Sequence, residues 1–71
     1  MAAKQFTHTG TIIGRDTRTP SGFRQLVMLR QTQRYWVSAS GLRFRRDTGY
    51  GTGLWPLYDL DTTTVREMDN G

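Results

Sequence analysis

The chain has 71 residues, a net charge of +4 and no cysteine. A chain of this length forms one small domain with a thin core, and a second copy of the chain is one way of stabilising it. The absence of cysteine excludes disulfides and cysteine-based zinc sites, and the single histidine, His8, cannot form a histidine cluster. We therefore predict one domain over residues 1–71, ordered from residue 5 to residue 66, with no metal and no cofactor.

Basic and acidic residues occupy different parts of the sequence. Residues 15–46 contain eight arginines and one acid, whereas residues 47–71 contain five acids and one arginine. This separation predicts two differently charged faces or a self-complementary surface. A solvated strand surface that binds nothing would explain the same pattern about equally well, because a modest positive charge is a weak indication of nucleic-acid binding.

The first ten residues, "MAAKQFTHTG", lack the apolar segment of a signal peptide, and no apolar run approaches the length of a membrane helix. The absence of cysteine is typical of cytoplasmic proteins. We therefore expect a soluble, cytoplasmic protein with no membrane partner.

The N-terminal half reads as strands and turns, because β-branched residues, aromatic residues and glycines are frequent and no segment shows a helical stripe. The first strand is predicted over residues 5–14, where Gly10 indicates a bulge or a sharp bend. Residues 15–22 form a loop, since Pro20 and the Ser-Gly pair that follows it favour turns. The second strand is predicted over residues 23–31.

The C-terminal half continues this pattern. Strands are predicted over residues 34–39 and 42–46, followed by a loop at 47–53. A short final strand lies within residues 54–60, where Pro56 excludes a central ladder position. The segment "DTTTVREM" that follows is expected to be extended or to form a short turn, and the last residues are expected to fray.

A two-residue turn at Ser40-Gly41 would join the third and fourth strands into a hairpin. Its apolar side, which packs inward, consists of the pairs Ala39–Leu42, Val37–Phe44 and Tyr35–Arg46. Its outer side consists of the pairs Ser38–Arg43, Trp36–Arg45 and Arg34–Asp47, the last being a charge pair. Every position sorts as the pleat requires, and a one-residue slip would destroy this sorting.

A similar turn at residues 32–33 would add the second strand to the hairpin. The inner side then gains Leu26 and Met28, and the outer side carries an apolar strip of Val27, Leu29 and Trp36. Either the segment "LWPLY" folds over this strip and makes it core, or the strip is exposed and marks a binding or dimer surface. The first interpretation is favoured, because most tryptophans in small domains serve packing.

The glycines Gly49, Gly51 and Gly53 do not match a phosphate-binding loop. Such a loop needs a following helix, and "LWPLY" is a poor helix start. We interpret the segment as a flexible β-loop in which Tyr50 is placed to stack on a ligand.

Asp59 and Asp61 alternate and share one face of a strand. Paired carboxylates can perform acid–base chemistry or hold a hard cation, but no nucleophile, base or third ligand is evident nearby. A solvated edge or ion pairing to the basic face is the favoured interpretation. Because the common nucleophile–base arrangements are also missing, we predict no catalytic residue and no enzymatic activity.

Residues 41–62 contain a strand ending in glycine, a Phe-Arg-Arg element, an Asp-x-Gly turn, a glycine and a tryptophan. The positions are Gly41, Phe44, Arg45, Arg46, Asp47, Gly49, Gly53 and Trp55. In these features the segment, about a third of the chain, resembles short β-proteins encoded by bacteriophages and prophages. The resemblance carries no established activity. It implies a phage origin and a small accessory protein that binds a host protein or nucleic acid.

The sequence thus predicts an all-β domain, a small and strongly bent antiparallel sheet of about five strands or an SH3-like barrel. Its predicted function is non-catalytic binding of nucleic acid, DNA or RNA, in which arginines contact phosphates and aromatic rings stack on bases. The predicted contact residues are Arg34, Trp36, Arg43, Arg45 and Tyr50. The alternative is a protein-interaction or self-associating (homodimer) module, since the same surface would suit an acidic protein.

Overall fold

Five strands follow one another along residues 6–68, the part of the chain that this computed structural model describes. They are β1 (His8–Gly14), β2 (Arg24–Gln31), β3 (Tyr35–Ser38), β4 (Arg43–Arg45) and β5 (Tyr58–Glu67). Neighbouring strands are antiparallel and lie in the order β4-β3-β2-β1-β5. The sheet is strongly curled into a half-barrel, and residues 6–68 contain no helix. The predicted all-β fold with a strongly bent sheet of five strands is confirmed.

The strand bounds differ most from prediction at the C-terminal end. β5 begins two residues after Pro56 and continues through the segment that was expected to be either extended or a turn. The predicted first strand included Gln5, which lies outside the described residues, as do residues 69–71, where fraying is expected. Within the described range the structure contains no helix with the length and apolar character needed to cross a membrane.

The core lies on the inside of the curl and takes one side chain from each strand. The buried cluster consists of Ile12, Leu29, Trp36, Phe44 and Leu60. Phe44 and Leu60 come from opposite ends of the strand order, so they share a cluster only because the sheet curls. Burial of each such side chain stabilises the fold by about 1.5–3 kcal/mol relative to exposure.

Gly10 lies at the bend of the sheet. Thr9 pairs with Arg66 of β5 and Thr11 pairs with Asp61, so several residues of β5 lie opposite Gly10 alone. A Cβ atom on Gly10 would lie 2.9 Å from side-chain atoms of both Leu29 and Leu60. The predicted bulge or bend at Gly10 is confirmed by the register shift. An added Cβ atom would require the leucine side chains of the core to shift.

The β3–β4 hairpin is offset by one residue from the predicted pairing. Trp36 lies opposite Phe44, and the loop comprises residues 39–41 rather than two residues. Gly41 has a φ of +91°, which allows a three-residue hairpin loop ending in a bulge. The one-residue offset reverses the sides of β3, so Trp36 joins the core cluster, and its neighbours Tyr35 and Val37 lie on the outer side, where Val37 is still only 9 % exposed.

The β2–β3 turn also differs, because it occupies Gln33 and Arg34 rather than residues 32–33. This change gives the residues of β2 different partners on β3, but Leu29 and Trp36 still share one side of the sheet, as predicted. That shared side is the inner one, whereas the sequence predicted the outer one. The apolar strip of Val27, Leu29 and Trp36 is packed in or against the core, whereas Leu26 and Met28 are exposed on the outer side.

The cover over this strip comes from Ile12 of β1 and Leu60 of β5, together with Phe44. Of the segment at residues 54–58, only Tyr58 packs against this cluster, whereas Leu54 and Trp55 are exposed. The core side of β2 and β3 is therefore the side on which β1 and β5 also present large apolar residues.

The glycine-rich segment after β4 closes the half-barrel on β5. The N–H of Leu60 donates to the carbonyl of Gly49 at 2.7 Å. A Cβ atom on Gly49 would lie 2.0 Å from the carbonyl oxygen of Leu60, and one on Gly51 would lie 2.1 Å from that of Tyr58. The predicted loop is confirmed, and at these two positions glycine lets the backbones of the loop and of β5 approach closely.

Candidate functional site

A row of three polar and aromatic side chains crosses the outer side of the sheet. Tyr35 lies directly opposite Arg45, and directly opposed residues share one side of an antiparallel sheet. The N–H of Arg45 donates to the carbonyl of Tyr50 at 3.0 Å, and the next residue, Gly51, bridges to inward-facing Phe44. By the alternation of the pleat, Tyr50 therefore faces outward beside Arg45. We name these three residues the Tyr–Arg–Tyr row.

A second row lies parallel to the first. Arg30 of β2 is opposite Val37 of β3, which is opposite Arg43 of β4. The guanidinium of Arg43 lies 6.0 Å from the centroid of the Tyr35 ring, at the outer limit of a cation–π contact. The two rows and the adjacent turn form one surface, which we name the basic outer patch. It consists of Arg30, Arg34, Tyr35, Arg43, Arg45 and Tyr50.

The patch keeps an excess of positive charge. Among residues 6–68, no carboxylate lies within 4.0 Å of the guanidinium groups of Arg30, Arg34 or Arg43. Arg45 pairs with Asp47 at 3.0 Å, and the hydrogen bond from Arg45 lowers the pKa of Asp47 below its ordinary value. Both side chains are mostly exposed, so the pair contributes little to stability and is open to exchange with another anion. The predicted Arg34–Asp47 pair is replaced by this one.

A cleft of about 480 Å³ borders the patch between the β2–β3 turn and the end of β4. It is lined by Gln33, Arg34, Tyr35, Arg45, Arg46 and Asp47. Arg46 has a structural role, because it donates to the carbonyls of Thr32 and Gln33 at 3.1 Å and its guanidinium lies 5.7 Å from the Trp36 ring. Arg34 and Arg45 remain as the cations that an anion in this cleft would meet.

Four of the five predicted contact residues lie together on this patch. Arg34, Arg43, Arg45 and Tyr50 are exposed and neighbour one another on the outer side or its adjoining turn. The predicted role of Trp36 is wrong, because its side chain is only 9 % exposed and packs in the core. Its ring lies 4.7 Å from that of His8, centroid to centroid.

Tyr35 occupies the outward position that was predicted for Trp36. It was missed because the two-residue turn placed it on the inner side of β3. A two-residue I′ or II′ turn would need a positive φ at Ser40, which the structure does not have, whereas the positive φ of Gly41 alone fits the three-residue loop. A glycine at position 41 is compatible with both pairings.

Asp59 and Asp61 of β5 lie on the same outer side but at the other end of the sheet. Asp59 is opposite Ile13 and Asp61 is opposite Thr11, so the predicted sharing of one face is confirmed. Hydrogen bonding from the Thr63 hydroxyl lowers the pKa of Asp61 below its ordinary value. The described part of the chain has no group of three histidine or acidic side chains that could hold a metal ion.

A second exposed feature was not recognised in the sequence. Leu54 is 90 % exposed and Trp55 is 78 % exposed, at the tip of the segment between the glycines and β5. Arg18 holds this segment in place, since it donates to the carbonyl of Pro56 at 2.6 Å and pairs with Asp16 at 2.8 Å. We name residues 54–57 the apolar tip.

Comparison with known proteins finds no family model, no curated protein and no solved structure that matches the chain.

Proposed function

We propose that the protein is a non-catalytic nucleic-acid-binding module that uses the basic outer patch. The observation that carries the proposal is the Tyr–Arg–Tyr row, flanked on the same surface by arginines that have no carboxylate partner among residues 6–68. Guanidinium groups bind phosphate oxygens in a bidentate manner, and tyrosine rings provide platforms for bases.

The distribution of charge over the sheet also supports this proposal. The basic patch lies on β2, β3 and β4, whereas Asp59, Asp61 and Glu67 lie on β5 at the other end of the strand order. A polyanion approaching the β3–β4 end therefore meets guanidinium groups and the exposed Asp47 rather than the acidic strand. Such charge complementarity accelerates association and depends on ionic strength.

The proposal is tested by fluorescence anisotropy with labelled single-stranded and double-stranded DNA and RNA, over a salt series from about 50 to 200 mM. We expect affinity that falls steeply with salt. Replacing Arg43 and Arg45 together by glutamine removes two phosphate contacts and should lower the slope of log K against log salt by about 1.5.

The matched control is the double replacement of Arg15 and Arg66 by glutamine. Both residues are exposed and lie outside the patch, so this variant has the same net charge as the first. We expect it to keep the salt slope of the unmodified protein. Failure to bind any nucleic acid at low salt, binding without salt dependence, or equal losses in the two double variants would each contradict the proposal.

We propose a protein-interaction module as the second candidate. The strip that first indicated self-association is core, but the apolar tip exposes Leu54 and Trp55 to solvent. A held, exposed tryptophan is a typical anchor of protein interfaces. For a homodimer, sedimentation equilibrium should show concentration-dependent association that Trp55→Ala abolishes, and a monomer at every concentration would exclude this version. Action on a host protein and a phage origin stay predictions.

A further inference from the structure

We infer that the ligand of the basic outer patch is a single strand, with bases stacked on Tyr50 and Tyr35 and a phosphate at Arg45 between them. This inference rests on the proposed nucleic-acid function and names the class of nucleic acid that the patch takes. It follows from the placement of the two rings, from the way that Tyr50 is held, and from the features that a duplex would present to this surface.

The two rings are separated by one strand. Neighbouring strands lie about 4.8 Å apart, so Tyr35 and Tyr50 are about 10 Å apart where they leave the backbone, with Arg45 midway. Bases within a duplex are stacked about 3.4 Å apart along each strand, and their faces are covered by their neighbours. Two platforms at this wider spacing can each take a base only from a strand whose bases are unstacked.

Tyr50 is the main platform because it is exposed and its backbone is fixed. Its side chain is 57 % exposed, while its carbonyl accepts the N–H of Arg45. The flanking Gly49 and Gly51 pack directly against the backbone of β5. Because the backbone is already held, stacking of a base costs only the freedom of the Tyr50 side chain, which favours binding.

Tyr35 is the second platform, and Arg43 extends it. The guanidinium of Arg43 lies over the Tyr35 ring and is planar, so it adds a second surface on which a base can stack. Because Arg43 has no carboxylate partner among residues 6–68, it is also free to contact a phosphate. Arg45 donates two hydrogen bonds of 3.2 and 3.0 Å to Asp47, and because this pair is exposed, a phosphate can take the place of the carboxylate.

A duplex would present different features to this patch. Duplex DNA is read by base edges in its grooves, usually by a helix or a two-stranded ribbon inserted into the major groove. Residues 6–68 form no helix, and β4 is tied to β5 through the glycine segment rather than projecting as a ribbon. Contact of this surface with a duplex is therefore limited to phosphates and leaves both tyrosine rings unused.

The test compares an oligothymidylate of about ten nucleotides, a length within the range that small β-domains cover, with the same strand annealed to its complement. Affinity is measured by anisotropy at one low salt concentration and over a salt series. We expect the single strand to bind at least about tenfold more tightly than the duplex, corresponding to the stacking of one base or more.

The decisive variant is Tyr50→Ala. It should weaken single-strand binding about tenfold while leaving duplex binding and the salt slope unchanged, because stacking is lost and the phosphate contacts remain. Tyr50→Phe keeps the ring and should bind as the unmodified protein does. Trp55→Ala is the matched control, because it removes an exposed aromatic side chain from the apolar tip and should not alter affinity.

The outcomes separate this inference from the function on which it rests. Salt-dependent binding in which the duplex binds as tightly as the single strand, or in which Tyr50→Ala changes nothing, overturns the inference and leaves the nucleic-acid function standing. Absence of binding to either ligand at low salt overturns both. The thermal midpoint of Tyr50→Ala, measured alongside, should equal that of the unmodified protein, since most of the side chain is exposed.

Discussion

Trp36 and Trp55, the two tryptophans of the chain, lie in opposite environments. Trp36 on β3 is 9 % exposed and contacts side chains from other strands, whereas Trp55 in the apolar tip is 78 % exposed. The difference arises from their positions relative to the curled sheet. Trp36 points to the inner side of the sheet, where each strand supplies an apolar side chain to the core. Trp55 precedes Pro56 in the segment between β4 and β5, outside this core.

This contrast separates what holds the fold together from what the fold presents to partners. The surroundings of Trp36 include the ring of His8, the guanidinium of Arg46 and the opposite residue Phe44. The apolar tip is held mainly through backbone atoms, since Arg18 binds the carbonyl of Pro56. Side chains of the apolar tip can therefore be substituted without loss of core contacts.

The largest expected effect is that of emptying the core position. Trp36→Ala should lower the free energy of unfolding by about 3–5 kcal/mol, because it leaves a cavity between the strands. Trp55→Ala should change it by about 0.5 kcal/mol or less. Urea unfolding followed by far-ultraviolet circular dichroism measures both. Trp36→Phe, with an intermediate loss, keeps the comparison measurable if the alanine variant does not fold, and equal effects at the two tryptophans would contradict the assignment.

A smaller effect distinguishes two glycines that both have positive φ. Gly49 (φ +81°) faces the carbonyl of Leu60, whereas a Cβ atom on Gly53 (φ +118°), next to the apolar tip, would meet nothing within 4 Å. Gly53→Ala should cost about 1–2 kcal/mol of stability from backbone strain alone. Gly49→Ala should cost more, since a backbone carbonyl must also move.

The same denaturant experiment tests the glycine pair. Gly22→Ala is a further control, because Gly22 has a φ of +74° with open space around it. If Gly49→Ala were no more costly than Gly22→Ala and Gly53→Ala, the packing of the glycine segment on β5 would be wrong.

The sequence predicts the strands better than it predicts their sides. The alternation Arg43-Phe44-Arg45 sets the sides of β4 without reference to any turn, and these predictions are confirmed. In β2 the residues on both sides are apolar, with Leu26 and Met28 on one and Val27 and Leu29 on the other, so alternation carries no information there. The side was decided by β1 and β5, which are distant in sequence from part of the sheet they cover.

The sequence likewise predicts some residues of the candidate site correctly and others on the wrong side of the sheet. The outward arginines follow from the pattern of β4, and Tyr50 follows from its place in the loop beside it. Tyr35 and Trp36 were exchanged because one additional loop residue reverses the sides of β3. A Ser-Gly pair is compatible with either loop length, so local sequence does not determine which tyrosine or tryptophan reaches the surface.

The smallest expected effect is a pH dependence of stability. It arises from two exposed ion pairs, Arg18–Asp16 near the apolar tip and Arg45–Asp47 beside the patch. A hydrogen bond from Arg18 lowers the pKa of Asp16, near the apolar tip, and a hydrogen bond from Arg45 lowers the pKa of Asp47, beside the basic outer patch. A carboxyl with a lowered pKa stabilises the folded state above its unfolded pKa, which is about 3.9, and this contribution is lost as the pH falls through the folded value. Unfolding free energies should therefore fall modestly below about pH 4.

Asparagine variants show how much of this loss of unfolding free energy comes from each of the two carboxyl groups. Asp16→Asn and Asp47→Asn should each be slightly less stable than the unmodified protein at neutral pH, and the difference should vanish at acidic pH, where the native carboxyls are protonated as well. Asp47→Asn should also strengthen nucleic-acid binding, since it frees Arg45 for phosphate, whereas Asp16→Asn should not. Stability that rises on acidification through this range, or identical effects of the two variants on binding, would show that these pairs do not have the roles given to them.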